Sequence, residues 1–351
     1  MGEYSAGAEI DARVLDGLAT EFRAAGLDPD EISRTAGMGE DGWRAAGAAV
    51  GLRQFVHLLE AAGRLAGDSG FLWRCGRLYA AAHLADLFPF ACGSIDLGAA
   101  LSLIVTSLNL IQGDSLVRLR TGGGLAVVEY RVLDPAIWPR ARDVEFTFGF
   151  LDGVVRRFAG PGLRPESVVF EHAPDPQAGR IDRHLGVACI HGEAVNAFAI
   201  PEQALSSRSL AGGPPRDDAE RNLAALEAAL QGRLQALDLP ARIRQAVLAR
   251  VGDGDISQRS IAASCGLSER TLRRHLLADG LGFRREIDRL RMEYAREAIA
   301  RTALPLAEIG RRLGYAEQSS FTRAFHRAMG MAPTALRRAR PAALADGAEQ
   351  A

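Results

Sequence analysis

The sequence predicts a two-domain protein: an N-terminal α+β domain, then an all-α domain with two helix-turn-helix units joined by a connecting helix. Three observations carry this. Strand-like alternation is confined to residues 114–205 and is flanked by helical periodicity. The segment SSRSLAGGPPRDD at 206–218 has two prolines, two glycines and no apolar period, and it marks a boundary. Beyond it, CGLSERTLRRHL at 265–276 and LGYAEQSSFTRAF at 313–325 share one layout. A chain of 351 residues is long enough for two such domains.

Residues 10–88 read mostly as helix. In VGLRQFVHLLEAAGRLAG at 50–67, Leu52, Phe55, Val56, Leu59 and Leu65 recur at helical spacing, and Gly67 and Gly70 punctuate its end. Residues 96–111 also read as helix. The stretch DSLVRLRTGGGLAVVEYRVLD at 114–134 then alternates Leu116, Arg118 and Arg120 before the turn with Leu125, Val127, Glu129 and Arg131 after it. Thr121 to Gly124 supply turn residues, since glycine accepts positive φ freely, so a hairpin is expected. Residues 144–160 read as helix, ESVVFEHAP at 166–174 as a strand, and AVNAFAIPEQAL at 194–205 as beginning with a short one. After the boundary, Leu223, Leu226, Leu230, Leu234 and Leu237 share one face of a helix. From 240 to 340 everything reads as helix and turn. The organisation expected is therefore 1–205, a linker with its helix at 206–238, a helical domain at 239–340, and a disordered tail at 341–351.

Composition narrows the function classes. Hydrophobic residues at 48% and charged residues at 24% are ordinary for a globular protein. Cys75, Cys92, Cys189 and Cys265 form no C-x-x-C pair, so neither a disulfide framework nor a zinc site is expected, and a reducing cytosol fits. The start, MGEYSAGAEIDARV, lacks a basic, apolar leader, and LSLIVTSLNLI at 101–111 is too short to cross a bilayer. A cytoplasmic protein with no membrane partner is expected. The net charge of −1 hides a division. Residues 242–340 hold 20 Arg against 10 acidic residues, and residues 1–241 hold 22 Arg against 31. The absence of lysine fits codon bias, but codon bias does not sort charge along a chain. The basic third points to an anionic polymer as its partner, with a merely solvated basic face as the alternative.

The two similar stretches are a duplication. Ile261, Ala262 and Gly266 match Ile309, Gly310 and Gly314 at an offset of 48, and Leu272 and Leu276 match Phe321 and Phe325 at 49. Each unit reads as helix, glycine turn, helix. SQRSIAAS at 257–264 leads the first, and Ser268 is placed to cap its second helix. Leu267, Leu272 and Leu276 form its inner set, which leaves Arg270, Arg273 and Arg274 outward. In the second unit Leu306, Ile309, Leu313, Tyr315, Phe321 and Phe325 are inner, and Gln318, Ser319, Ser320 and Arg323 are outer. A helix fits the DNA major groove, and residues in its first two turns reach base edges. Arginine bonds bidentately to guanine and glutamine to adenine, while nearby arginines neutralise phosphates. One such unit is also what generic helical-hairpin packing produces; two in a basic segment argue for DNA. Between them, FRREIDRLRMEYAREAIARTALP at 283–305 has apolar residues on both sides and reads as a rigid spacer, able to hold two recognition helices about one duplex turn, roughly 34 Å, apart.

SIAASCGLSERTLRRHLLADGLGFRREIDRLRMEYA at 260–295 and LAEIGRRLGYAEQSSFTRAFHRAMGMAPTALRR at 306–338 resemble the DNA-binding domain of the AraC/XylS family of bacterial transcription regulators. The resemblance implies base or phosphate contacts for Arg270, Arg273 and Arg274 in the first unit and for Gln318, Ser319, Ser320 and Arg323 in the second. It also places Pro333 at the start of the last helix. Gly310 stands where the family usually has alanine and Leu336 where an aromatic is usual; each is expected to cost a little packing or helix propensity. LLEAAGRLAGDSGF at 58–71, RVLDPAIWPRARDVEFTFG at 131–149, PGLRPESVVFEHAPD at 161–175 and HLGVACIHGEAVNAFAIPEQAL at 184–205 resemble the AraC-type arabinose-binding-like domain of a subgroup that includes regulators of ornithine and arginine use. That resemblance implies a sensory and dimerisation module, and hence a small-molecule effector, a homodimer, promoter DNA and RNA polymerase as partners, at the nucleoid.

No cofactor is expected. His172, His184 and His191 lack the spacing of a simple metal set, so no metal site is assigned. Trp73, Trp138, Tyr130 and Phe146 are candidates for an apolar cavity or for the core. No G-x-S-x-G, H-E-x-x-H, Walker or dinucleotide motif is present, which argues against an enzyme fused to a DNA-binding domain. The nearer alternative is a constitutive regulator or repressor whose N-terminal domain only dimerises.

Overall fold

In a computed structural model the described residues are 9–11, 13–38, 49–68, 70–88, 91, 94–112, 114–134, 137–172, 181–193, 195–208, 216–251, 255–278, 282–301 and 304–339. The expected tail at 341–351, Cys92 and most of the Pro/Gly segment lie outside them. The chain divides into two compact units. One is Met1–Val132 with Ile137–Gln231; the other is Leu133–Ala136 with Gly232–Ala351.

The first unit runs β1 Glu9–Asp11, α1 Arg13–Ala24, α2 Pro29–Thr35, β2 Ala49–Gly51, α3 Leu52–Ala66, α4 Phe71–Leu87 and α5 Leu97–Ile111. Then follow β3 Ser115–Gly122, β4 Leu125–Val132, α6 Ala141–Ala159, β5 Ser167–Phe170, α7 Ile181–Leu185, β6 Cys189–His191 and β7 Asn196–Pro201. β3, β4, β7, β5 and β6 form one sheet in that order, antiparallel except for the β5–β6 pair. The hairpin forms as the sequence predicts. Gly122 pairs with Leu125, and Gly123 and Gly124 make the two-residue turn at φ 62° and 78°. Two positive φ values are what a right-twisted hairpin demands. Val117, Ala126, Val128 and Tyr130 point into the core, while Val127 and Glu129 are half-buried. The three-residue pair β1–β2, with Ile10 opposite Val50, and the short β6 carry too few residues to show a period, and the sequence did not reveal them.

α4 and α6 pack backbone to backbone. A Cβ on Gly149 would lie 2.1 Å from the Trp73 carbonyl oxygen, and one on Gly76 would lie 2.1 Å from that of Phe146. Gly153 sits one turn further along the same seam, against Ala80 and Arg77. With the helices this close, Trp73 Nε1 donates to Asp152 Oδ2 at 3.2 Å, and Trp73 also packs against Phe148 and Phe198, centroids 6.4 and 6.0 Å away. Phe198 comes from the sheet, so this cluster fastens the helix pair to it. Trp73 and Tyr130 are therefore core residues, Trp138 is half-buried under the Arg140 guanidinium, and Phe146 lines a cavity.

The second unit is helical. α8 Arg216–Ala236 begins within the first unit, where its Leu223 and Leu226 pack on that unit's core, and its last turn belongs to the second. α9 Leu239–Leu248, α10 Gln258–Ser264, α11 Glu269–Ala278, α12 Phe283–Arg301, α13 Leu306–Arg312, α14 Gln318–Met329 and α15 Pro333–Arg338 complete it. α12 is the connecting helix, 19 residues or roughly 28 Å long. Its buried Ile287, Leu290, Met292, Ala295 and Ile299 serve α9 on one side and α13, α14 and α15 on the other. No helix among the described residues is long and apolar enough to cross a membrane.

Gly149→Ala forces a methyl into a backbone carbonyl and is expected to destabilise the first unit by about 3 kcal/mol. Gly122→Ala, where an added Cβ meets nothing within 4 Å, is expected to leave the unfolding midpoint nearly unchanged. Equal midpoints for the two variants in thermal unfolding would refute the close-packed seam.

Candidate nucleic-acid interface

Each helix-turn-helix unit is built by the same local chemistry. In the first, Ser257 Oγ accepts from Ser260 N and starts α10. The chain then turns at Gly266, φ 63°, with Leu267 N donating to Ala262 O at 2.9 Å and Gly266 N to Ala263 O at 3.0 Å. In the second, Gly314 sits at φ 81°, Tyr315 N donates to Gly310 O and Gly314 N to Arg311 O, both at 3.0 Å. This is the same left-handed helix stop twice, with glycine where a Cβ would be strained. Ser268 caps α11 as its sequence position predicts, its Oγ accepting from Thr271 N at 3.1 Å.

The apolar side of each recognition helix is fully buried. Leu272 and Leu276 are 0% and 1% exposed, and Phe321 and Phe325 are both 0%. On the other side, Arg270, Arg273 and Arg274 are exposed and line one open concavity together with Leu277. In α14, Gln318, Ser319 and Arg323 are exposed, and Ser320 is half-buried. Arg323 donates to Ser320 Oγ at 3.1 Å, and Ser319 Oγ donates to Glu317 Oε2 at 3.0 Å. The first unit's candidates thus share one surface, and the second unit's lie within its first two turns.

Several other arginines of the basic segment have internal work. Arg250 Nε donates to Ser260 Oγ at 2.8 Å, and its guanidinium also holds Ser264; Arg242 donates to the Cys265 carbonyl in the turn. Arg312, 3% exposed, pairs with Glu308 at 2.8 Å, and Arg337 donates to Leu304 O at 2.6 Å. Arg289 lies between Glu286 and Glu293. By contrast, no acidic residue among the described residues pairs with Arg270, Arg273, Arg274 or Arg323. Of these four, Arg323 spends one donor on Ser320 Oγ, and none is neutralised by a carboxylate among the described residues. The raw count of basic residues overstates the free charge, and location decides which part of it is available.

Two features escaped the sequence reading. Leu277 is 64% exposed, an apolar side chain among the three arginines; its signal was the i, i+3, i+4, i+7 spacing from Arg270. Arg327 is exposed one turn beyond Arg323 on the same face. Gly310 does not carry the packing cost expected of it. A Cβ there would lie 3.0 Å from Phe321 Cβ and 3.1 Å from its Cγ, so the glycine makes room for the larger ring. At the matching positions the first unit has Ala262 and Leu272, both buried. Pro333 starts α15 as expected, in its first turn and buried.

Glycine-stopped helices in tandem, each followed by an exposed, unpaired arginine face, define a double helix-turn-helix protein. Residues 26–209 match the family model described as the arabinose-binding domain of AraC transcription regulator, N-terminal, and residues 261–339 match a helix-turn-helix domain model. The chain belongs to the AraC family of transcription regulators. It is 32% identical to the ornithine utilization regulator of Pseudomonas aeruginosa over 51% of this chain and 52% of that one. It is 29% identical to the HTH-type transcriptional regulator VirS of Mycobacterium tuberculosis over 58% and 59%. The match thus spans about half the length of these curated relatives. A 30% identity to the transcriptional activator NphR of Rhodococcus covers 26% of this chain and 28% of that one. The crystal structure of the transcriptional regulator CdpR from Pseudomonas aeruginosa aligns over 92% of this chain and 97% of that one, at 19% identity and a TM-score of 0.37.

Gly310→Ala alone is expected to cost about 1–3 kcal/mol by crowding Phe321. Combined with Phe321→Leu it recreates the first unit's pair, and a double-mutant cycle in denaturant should show the two changes compensating each other by at least 0.5 kcal/mol. Strict additivity would overturn the size-matching account. Separately, hydrogen bonds first from Arg311 and then from Arg312 hold the Glu308 carboxyl down to about 2. A carboxyl with a lowered pKa stabilises the fold above its ordinary value of 4.5, and that stabilisation disappears as pH falls toward 2. Glu308→Gln should therefore lower the unfolding midpoint at pH 7, with the gap to the parent narrowing between pH 5 and pH 3; a gap independent of pH would contradict the assignment.

Proposed function

We propose that this protein is a sequence-specific DNA-binding transcription regulator. Residues 239–340 read promoter DNA, residues 1–205 bind a small-molecule effector and pair two chains, and residues 206–238 link them. The observation that carries the reading is the placement of the arginines: Arg270, Arg273, Arg274 and Arg323 stand exposed on the two recognition helices with no acidic partner among the described residues, while Arg250, Arg289, Arg312 and Arg337 are occupied within the fold. Arg270, Arg273, Arg274, Gln318, Ser319, Ser320 and Arg323 are the proposed contacts to bases and phosphates. Family membership supports the reading, and so do relatives named as transcriptional regulators.

The mechanism follows from linkage. An effector shifts the population of DNA-competent arrangements only by the difference in its affinity for them. A homodimer would offer up to four recognition helices to the major groove, and contact with RNA polymerase would produce activation. One partial relative is named as a transcriptional activator, which supports that sign of regulation. The proposed action is binding, in keeping with relatives named as regulators.

Genome-wide footprinting identifies the operator. Against that site, Arg323→Ala in the full chain is expected to weaken binding by roughly 10- to 100-fold, the loss of one good base contact, with helicity unchanged. Affinity should fall steeply with salt, and replacing a phosphate-contacting arginine should reduce the log–log slope by about 1. Unchanged affinity for the Arg323 variant, together with a flat salt response, would defeat the reading.

A further inference from the structure

The first unit contains a cavity of about 50 Å³, open at one side. Its walls are apolar: Val14, Phe55, Phe88, Phe146 and Phe150 all contribute. Its polar groups include Gln112 from the end of α5 and Asp143 from the first turn of α6, 4% and 1% exposed. Both are tied to Tyr130 behind the wall. Gln112 Nε2 donates to the Tyr130 hydroxyl at 2.6 Å, and that hydroxyl donates to Asp143 Oδ2 at 2.7 Å. The direction of this chain matters. With the hydroxyl proton and one of the two Gln112 amide protons committed, the groups left over are two acceptors, Gln112 Oε1 and Asp143 Oδ1, and one amide N–H. No donor among the described residues reaches either one.

The charge balance agrees. The other buried carboxylates nearby have partners. Glu171 takes a bidentate pair from Arg140 at 2.6 and 2.9 Å, Glu145 pairs with Arg142 at 2.6 Å, and Asp152 with Arg156 at 2.9 Å. Glu60 accepts from the Arg142 backbone N–H at 2.9 Å. Asp143 forms no ion pair among the described residues, and burial pushes its carboxyl up to about 7. A buried carboxylate without a counter-cation is costly unless something supplies one.

We infer that this cavity is the effector site, and that its ligand is a small primary amine on a slender apolar body, its ammonium bonded to Asp143 and Gln112. This rests on the effector-binding reading of the first unit and adds the site and the ligand class. An ammonium brings three donors and one positive charge to two acceptors and a carboxyl with no ion pair of its own, and that charge favours the carboxyl's ionised form. The size fits. An engineered cavity of about 150 Å³ holds benzene, so roughly a third of that encloses a head group and its first carbons while the rest of the chain lies along the phenylalanines toward the opening.

Hexylamine, 1-hexanol and hexanoate share one body and differ in the head. Calorimetric titration of the full-length protein at pH 7.5 should show hexylamine binding at least about tenfold tighter than hexanol, and hexanoate weakest. Asp143→Asn, close to isosteric, should remove the amine preference and leave hexanol binding intact. Leu108→Trp, at a half-buried wall position one helical turn before Gln112, should block all three while leaving the Asp143 side chain in place. Hexanoate binding as tightly as hexylamine, an amine preference that survives in the Asn variant, or no binding by any probe would each overturn the proposal. If no probe binds but operator affinity responds to another small molecule, the effector-responsive reading stands and this site assignment alone falls.

Discussion

Each outward arginine of the two recognition helices is placed by an apolar residue on the opposite side of its own helix. Phe321 and Phe325 are driven out of water, and a helix with 3.6 residues per turn then has no choice about where Arg323 points. Leu272 and Leu276 do the same for Arg270, Arg273 and Arg274. The burial of those four side chains contributes about 1.5–3 kcal/mol each relative to exposure, more than any surface ion pair an arginine could form instead. Orientation of the proposed DNA-reading face is thus a by-product of core formation, and it survives exchange of the partners as long as volume is matched. Gly310 beside Phe321, with Ala262 and Leu272 at the matching positions of the first unit, shows volume exchanged between the two sites.

The first unit is organised around a different constraint. Gly76, Gly149 and Gly153 let α4 and α6 approach until backbone meets backbone. That approach places Tyr79 of α4 beside Phe146 of α6, centroids 5.6 Å apart, along the wall of the cavity. It also brings Trp73 within reach of Asp152. The buried arginine–carboxylate pairs next to this seam satisfy one another, and Asp143, at the start of α6, is the member left with only a hydroxyl. A cavity and an unmatched acid at the same place are more informative than either alone, because packing without a ligand has no reason to retain both.

Arginine composition was the weakest part of the sequence reading and the most improved by structure. A net excess along residues 242–340 is a true property of the chain. Yet Arg242, Arg250, Arg312 and Arg337 serve turns, helix ends and a buried pair. Counting charges along a sequence cannot separate these from Arg270 or Arg323, since the separation depends on which acids and carbonyls come within about 4 Å.

The sequence by itself determined the α+β and all-α classes, the hairpin at Gly123–Gly124, the duplicated units with their glycine stops, and the inward and outward sets of both recognition helices. These are short-range facts: a period of two or 3.6, a positive φ, a cap three residues away. It also carried the family resemblance that the domain matches bear out. Tertiary structure alone decided the glycine seam between α4 and α6, the room that Gly310 leaves for Phe321, the parallel β5–β6 pair, and the convergence of Gln112, Tyr130 and Asp143 on one cavity. Those contacts join residues from different helices and strands, and no local pattern records them, because close packing and hydrogen bonding are set by which distant surfaces meet.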